Sequence, residues 1–259
     1  MPRASARQRR LGQNFLADPN LLDAIVRESG VGPADVVLEV GGGEGALTER
    51  LAPAADSVHL IELDERLRGS LEPLAERLGN VQVLWADAIK ADLAALAPPP
   101  TRVVANLPYS VATPLLLRTI YELPSVSAWL VMVQREIAER LRAEPGTREY
   151  GSPSVQVQLA CDVEIERTVD PAVFTPRPRV GSALLRLRRR GPGAPPGLRE
   201  LVREAFAHRR KSLARSLELG RPGRLDAVRE ALEAIGKPAG ARAEALAPSD
   251  FEALWERLR

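Results

Sequence analysis

The chain has 259 residues, enough for one full domain and a smaller second one. With 45% hydrophobic and 27% charged residues it has the composition of an ordinary soluble globular protein, and no apolar run reaches transmembrane length. The single cysteine, Cys161, excludes internal disulfides and cysteine-rich metal sites, and two histidines, His59 and His208, argue against a His-built one. No hydrophobic signal segment follows Met1, so a cytoplasmic, reduced setting is the expectation.

The net charge of +2 conceals an asymmetry. Residues 1–10 carry four Arg and no acid, and residues 186–215 carry ten Lys or Arg against two Glu. The remainder holds 22 basic and 32 acidic residues, a balance of −10. Positive charge gathered in two places on an acidic body suits a polyanion partner, nucleic acid above all. A general bias toward Arg, with only three Lys in the chain, is the competing explanation.

In chain order, "DPNLLDAIVRESG" predicts a helix capped by Asp18, opened by Pro19 and ended by Gly30, with Leu21, Leu22, Ile25 and Val26 on one face. Strands and helices then alternate. "VVLEV" leads through glycines to "ALTERLA", "VHLIEL" leads to a helix after Asp64, and "VQVLWA" leads to a short helical stretch. "RVVAN" leads to "TPLLLRTIYEL", and "AWLVMVQ" to "REIAERLR". Short, nearly continuous apolar strands between helices predict a parallel sheet covered on both faces. "SVQVQLACDVEIERTV" and "SALLRLRRR" read as later strands at an antiparallel edge. The Pro/Gly stretch "RGPGAPPG" at 190–197 predicts a domain boundary, giving a first domain over 1–190 and a helical one over 191–259. In the last helix Ser249 and Glu252 have capping-box spacing, and Phe251, Leu254, Trp255 and Leu258 form its core stripe.

Gly41, Gly43 and Gly45 follow the first strand of the alternating run, where a backbone must turn sharply and approach a ligand. That spacing alone also matches a dinucleotide fingerprint. Glu62 ends the second strand and can hold two ribose hydroxyls, which both NAD and S-adenosylmethionine require. Asp87 ends the third, where it can accept from an adenine amino group or simply cap a helix. The fourth strand decides between the two cofactors, because it ends in Asn106, Leu107, Pro108 and Tyr109. A nucleobase amine is a poor nucleophile, its lone pair being delocalised into the ring. If the Asn106 oxygen and the Leu107 carbonyl each accept one N–H, the amine is drawn toward tetrahedral geometry and the lone pair is released. Pro108 stiffens the loop and Tyr109 can stack on the base. Such catalysis works by orientation and hydrogen bonding and needs no strong base.

Together with "LGQNFL" (11–16), "IELD" (61–64), "NLPYSVATPLL" (106–116), "VQREIAERL" (133–141), "FTPRPRV" (174–180) and "FAHRRKSL" (206–213), these motifs closely resemble the ribosomal RNA adenine N6,N6-dimethyltransferases over nearly the whole chain. The small-subunit branch is the nearest in kind. The resemblance implies a Rossmann-like α/β methyltransferase sheet with helices on both faces and a small all-α C-terminal domain. It implies S-adenosylmethionine contacts at Asn14, Leu16, Gly41, Gly43, Glu62, Asp87 and Asn106, and Phe174 facing Tyr109 across the target base. The implied substrate is a pair of adjacent adenines in a hairpin near the 3′ end of small-subunit rRNA, on an immature subunit, with the protein a monomer and no membrane partner. Arg188, Arg189, Arg190, Arg209, Arg210 and Lys211 are the expected phosphate contacts, with the RNA received between the domains.

Four positions depart from the family pattern: Gly42, where proline is usual; Pro153, for leucine; Gly181, for aspartate; and Arg215, for asparagine. The competing readings are a large-subunit dimethylase of the macrolide-resistance type, a non-catalytic RNA-binding assembly or transcription factor on the same fold, and, more remotely, an NAD enzyme.

Overall fold

The computed structural model describes residues 14–259, so the basic tip and Gln13 lie outside the described part. The described residues form two compact units, residues 14–138 with 164–189, and residues 139–163 with 190–259. The last crossing falls beside the expected boundary at 190. The excursion over 139–163 has no marker in the sequence.

The first unit is built on strands β2 (Val36–Val40), β3 (Ser57–Glu62), β4 (Val81–Trp85), β5 (Arg102–Asn106) and β6 (Ala128–Gln134). They pair in parallel in the order β4-β3-β2-β5-β6. β9 (Ser182–Arg189) runs antiparallel beside β6, and β7 (Cys161–Val169) closes the edge. β2 and β6 are buried along almost their whole length, as near-continuous apolar strands between helices must be. Because the chain leaves β2 first toward β3 and later toward β5, the strand order reverses between β2 and β5. A crevice opens at the carboxyl ends there, where open α/β sheets bind ligands.

Helix α1 (Pro19–Ser29) follows its sequence signals. Asp18 accepts from the Leu21 amide at 2.8 Å, and Gly30 ends the helix at φ 64°. Helices α2 (Thr48–Leu51), α3 (Arg68–Leu78), α4 (Ala112–Glu122) and α5 (Arg135–Arg142) occupy the other expected places. Trp129 is fully buried on β6, where its indole N–H donates to Thr119 Oγ1 of α4 at 2.9 Å. That bond satisfies the one polar group of a side chain whose burial stabilises by about 1.5–3 kcal/mol.

The stretch expected as a strand over 154–169 is a strand only in its second part, Cys161–Val169; its beginning is a helix. Ser152–Gln158 forms α6, despite the Val-Gln alternation that suggested a strand. Pro153 fits the first turn, Ser154 Oγ accepts from the Gly151 amide at 3.0 Å and donates to the Arg140 carbonyl at 2.6 Å, and all of Ser154–Val157 is buried. Pro153 is therefore accommodated rather than disruptive.

In the second unit, α7 (Pro196–Phe206), α8 (Leu213–Gly220), α9 (Leu225–Ala234) and α10 (Pro248–Leu258) join α6. Phe206 lies between Tyr150 and Phe251, with ring centroids at 6.1 and 5.9 Å, and the Tyr150 hydroxyl donates to the Leu246 carbonyl. The last helix starts one residue before the expected cap at Ser249. Asp250, rather than Glu252, reaches back to accept from the Ala247 amide at 2.8 Å.

Candidate active site

A cavity of about 740 Å³ lies in the first unit at the carboxyl ends of β2, β3, β4 and β5. It is bordered by Asn14, Leu16, Gly41, Gly43, Glu62, Asp87, Asn106, Leu107, Pro108 and Tyr109, so the residues expected to hold cofactor and base amine meet at one place.

The glycine loop is shaped by its neighbours. Gly41 has φ 79°, and a Cβ there would touch the Pro108 ring at 3.4 Å, so the loops after β2 and β5 are in contact. Gly43 has φ 57°, and a Cβ would lie 2.8 Å from the Phe15 ring. Gly42 sits against Leu60, which would have to shift to admit any side chain.

Glu62 is buried, and its carboxylate is largely committed to the loop. Oε1 accepts from the Leu63 and Asp64 amides, both at 2.8 Å, and Oε2 from the Gly43 amide at 3.1 Å. Burial pushes this carboxyl up, while those amides pull it down. A carboxylate has about four acceptor positions, so among the described residues these three bonds leave part of its capacity uncommitted at the cavity wall. Asp87 borders the cavity, and its Oδ1 accepts from the Ile89 amide at 3.0 Å, capping a turn rather than a helix.

Asn106 ends β5, where its Nδ2 donates to the Asn14 carbonyl at 3.1 Å. The Leu107 amide donates to the Met132 carbonyl at 3.0 Å. Among the described residues nothing donates to Asn106 Oδ1 or to the Leu107 carbonyl. Tyr109 is half-buried, its hydroxyl 2.6 Å from Ser182 Oγ at the start of β9. Burial raises the Tyr109 phenol, partly offset by Ser182, so the ring stays neutral at ordinary pH.

One pair of short strands lies beside the cavity. Phe15–Leu16 (β1) pairs antiparallel with Phe174–Thr175 (β8), and the Ala17 amide donates to the Val173 carbonyl. Here Phe174 departs from expectation. It is 3% exposed, packed with Leu16, Leu22 and Ile25, and does not border the cavity, whereas Thr175 does. In this conformation it is a core side chain, because the ribbon turns it inward opposite Leu16.

The basic residues divide. Arg189 is spent inside the first unit: Nε donates to the Val126 carbonyl, Nη2 to those of Ile120 and Leu123, and the guanidinium lies 5.0 Å from the Trp129 ring. It caps the end of α4 and is withdrawn from the expected phosphate contacts. Arg190 donates to the Gln158 carbonyl and faces Asp162, and Arg209 donates to the carbonyls of Arg148 and Tyr150. Arg188 is exposed, 4.0 Å from Glu164. Arg210 and Lys211 are exposed and, among the described residues, without an acidic partner.

Two residues escaped sequence reasoning: Ser182, which contacts the Tyr109 hydroxyl, and Glu39, which borders the cavity. Ser182 carries no motif of its own, being brought to Tyr109 only by the antiparallel register of β9 with β6. Glu39 was visible as a lone carboxyl inside the apolar "VVLEV". It is buried, borders the cavity, and its Oε2 accepts from Thr48 Oγ1 at 2.7 Å.

The lining discriminates between cofactors. Among the described residues, four carboxyl groups (Glu39, Glu44, Glu62, Asp87) border the cavity and no Arg, Lys or His does. Glu39 is held protonated by burial at neutral pH; a dinucleotide would bring two phosphate charges against the carboxylates among the others, whereas a sulfonium cation is attracted by them. Apolar Leu63 and Ile89 beside Asp87 provide walls for a purine. The residues present fit S-adenosylmethionine.

Sheet and cavity define the class: a Rossmann-like methyltransferase that uses S-adenosylmethionine. The profile of the ribosomal RNA adenine dimethylases matches residues 4–247, and the chain belongs to that family. It is 44% identical over 254 residues to the ribosomal RNA small subunit methyltransferase A of Rubrobacter xylanophilus, a match spanning 97% of this chain and 95% of that one. The protein of the same name from Kineococcus radiotolerans is 44% identical over 250 residues, spanning 93% and 82%. Among solved structures, a dimethyladenosine transferase from Plasmodium falciparum superposes with a TM-score of 0.74 at 25% identity, covering 93% of this chain and 95% of that one. The 23S rRNA methyltransferase ErmE superposes at 0.69 and 30%, covering 95% and 99%.

Proposed function

We propose that this enzyme transfers four methyl groups to N6 of two adjacent adenines in a hairpin near the 3′ end of small-subunit rRNA, acting in the cytoplasm on an immature subunit. When bound, S-adenosylmethionine supplies an activated methyl group together with its own leaving group. The chain's residues position the amine. The observation that carries this reading is the Asn106 amide: its N–H is held by the Asn14 carbonyl, so Oδ1 is presented as an acceptor beside the uncommitted Leu107 carbonyl. Each takes one amine hydrogen, which aims the nitrogen lone pair at the cavity. Pro108 holds that carbonyl in place, and the neutral Tyr109 ring stacks on the base. Exposed Arg188, Arg210 and Lys211 contact phosphates, with Arg190 and Arg209 contributing what their carbonyl bonds leave.

The 44% identity to small-subunit enzymes against 30% to a 23S enzyme favours the small subunit. The test is tritium incorporation from labelled cofactor into immature small and large subunits supplied together, with the rRNAs then separated. Label confined to the small-subunit RNA supports the proposal. Label only in large-subunit RNA refutes the substrate, and no incorporation points to a binding role.

Ser182 offers a check on Tyr109. Ser182→Ala should lower kcat about fivefold, the scale of one hydrogen bond of about 1 kcal/mol, while the KM for the methyl donor is unchanged. An unaltered kcat would show that the ring needs no such tether.

A further inference from the structure

We propose that Arg118 is a positioning residue that fixes the Asp87 loop and thereby sets affinity for the adenosine end of the methyl donor; this rests on reading the cavity as the donor site. Arg118 lies on α4, the helix that continues directly from the loop bearing Asn106 and Tyr109. Its Nη1 donates to the Ala88 carbonyl at 2.7 Å and its Nη2 to the Ala91 carbonyl at 2.8 Å. Both acceptors belong to the turn that follows Asp87. In that turn the Asp87 carbonyl accepts from the Lys90 and Ala91 amides at 2.8 Å each, and its side chain accepts from Ile89.

Asp87, Ala88 and Ile89 border the cavity; Arg118 does not. The guanidinium therefore acts on the ligand only through the turn. Its own orientation is set by Glu122, one helical turn on, which accepts from Nε at 2.7 Å and Nη2 at 2.5 Å. A planar fork with five donors can serve two carbonyls and a carboxylate together, which a lysine ammonium on a flexible stem does less well. The consequence is a brace between the loop after β4 and the helix after β5. Holding the turn keeps Asp87 in place for the purine amino group, which is a matter of binding the donor rather than of the transfer step.

The test uses the full-length protein, with S-adenosylhomocysteine as the probe. Arg118→Met should weaken its calorimetric Kd about tenfold, the scale of one lost charge-assisted hydrogen bond. The KM for the methyl donor should rise in step, with kcat at saturation within about twofold, as for a loss of uniform binding. In the ligand-free protein, amide exchange at Ile89, Lys90 and Ala91 should quicken. Arg118→Lys should recover part of the affinity. Glu122→Gln, which keeps both carbonyl bonds, should cost less than Arg118→Met and keeps the proposal testable if the latter folds poorly. Unchanged binding and exchange in folded Arg118→Met, or a fall in kcat with KM unmoved, overturns the proposal. If Glu122→Gln weakens binding as much as Arg118→Met, the brace is also refuted. Failure of the wild-type protein to bind the probe would instead overturn the donor reading of the cavity, and this proposal with it.

Discussion

Asn106→Ala is expected to lose about 10²- to 10³-fold in kcat, the range seen when one preorganised hydrogen-bonding group is deleted from a site that stabilises a transition state. The loss should fall on kcat rather than on binding of the RNA. No described residue outside the cavity depends on the Asn106 side chain except through the Asn14 carbonyl, so deletion removes a single neutral hydrogen bond from the fold, worth about 1 kcal/mol. The melting temperature should move by a few degrees at most. RNA retention on filters should match wild type, because no basic side chain is touched. Single-turnover transfer of tritiated methyl separates chemistry from product release. A variant that keeps full turnover would remove the Asn106 oxygen from the mechanism and leave the Leu107 carbonyl as the sole acceptor. Loss of RNA binding would show that the strand tip contributes to docking.

The plan of the first unit was readable because each strand of the parallel sheet is short and mostly apolar and alternates with helical stretches, the first of which is marked by Asp18 and Pro19. The cofactor end was readable for a related reason: strand ends at a switch point collect ligands, so Gly41, Glu62, Asp87 and Asn106 could be placed together from chain order alone. What failed depends on contacts distant in sequence. The alternation in "SVQVQ" obeys strand period, but Pro153, Ser154 and burial on all sides make it a helix. Arg189 looked like part of a solvated basic run; only the register of β9 against β6 places it over the end of α4 and the face of Trp129. Phe174 between prolines was open to two readings, and its pairing opposite Leu16 turns it to the core. Ser182 reaches Tyr109 across 73 positions of sequence. No local pattern encodes that.

Glu39 should make the protein lose stability as pH rises. Burial pushes its carboxyl from an ordinary 4.5 up to about 8, with the neighbouring Glu62 charge adding to the rise and Thr48 opposing it. Between those values the folded protein holds a proton that the unfolded chain has released. The unfolded state binds fewer protons, so unfolding becomes easier with each unit of pH. The slope from this one group is about 1.4 kcal/mol per pH unit, present from about pH 5 and levelling off above pH 8. Depressed carboxyls such as Asp35 act in the opposite sense, but only at acid pH. Glu39→Gln keeps an oxygen for the Thr48 hydroxyl and carries no charge at any pH. Its stability relative to wild type should therefore climb steadily between pH 6 and pH 8, by about 2–3 kcal/mol in all. Urea unfolding of the two proteins at pH 6, 7 and 8 measures that difference directly. Curves that stay parallel across the three would mean that the buried carboxyl is already ionised in the folded protein, its charge balanced by the Thr48 hydroxyl alone.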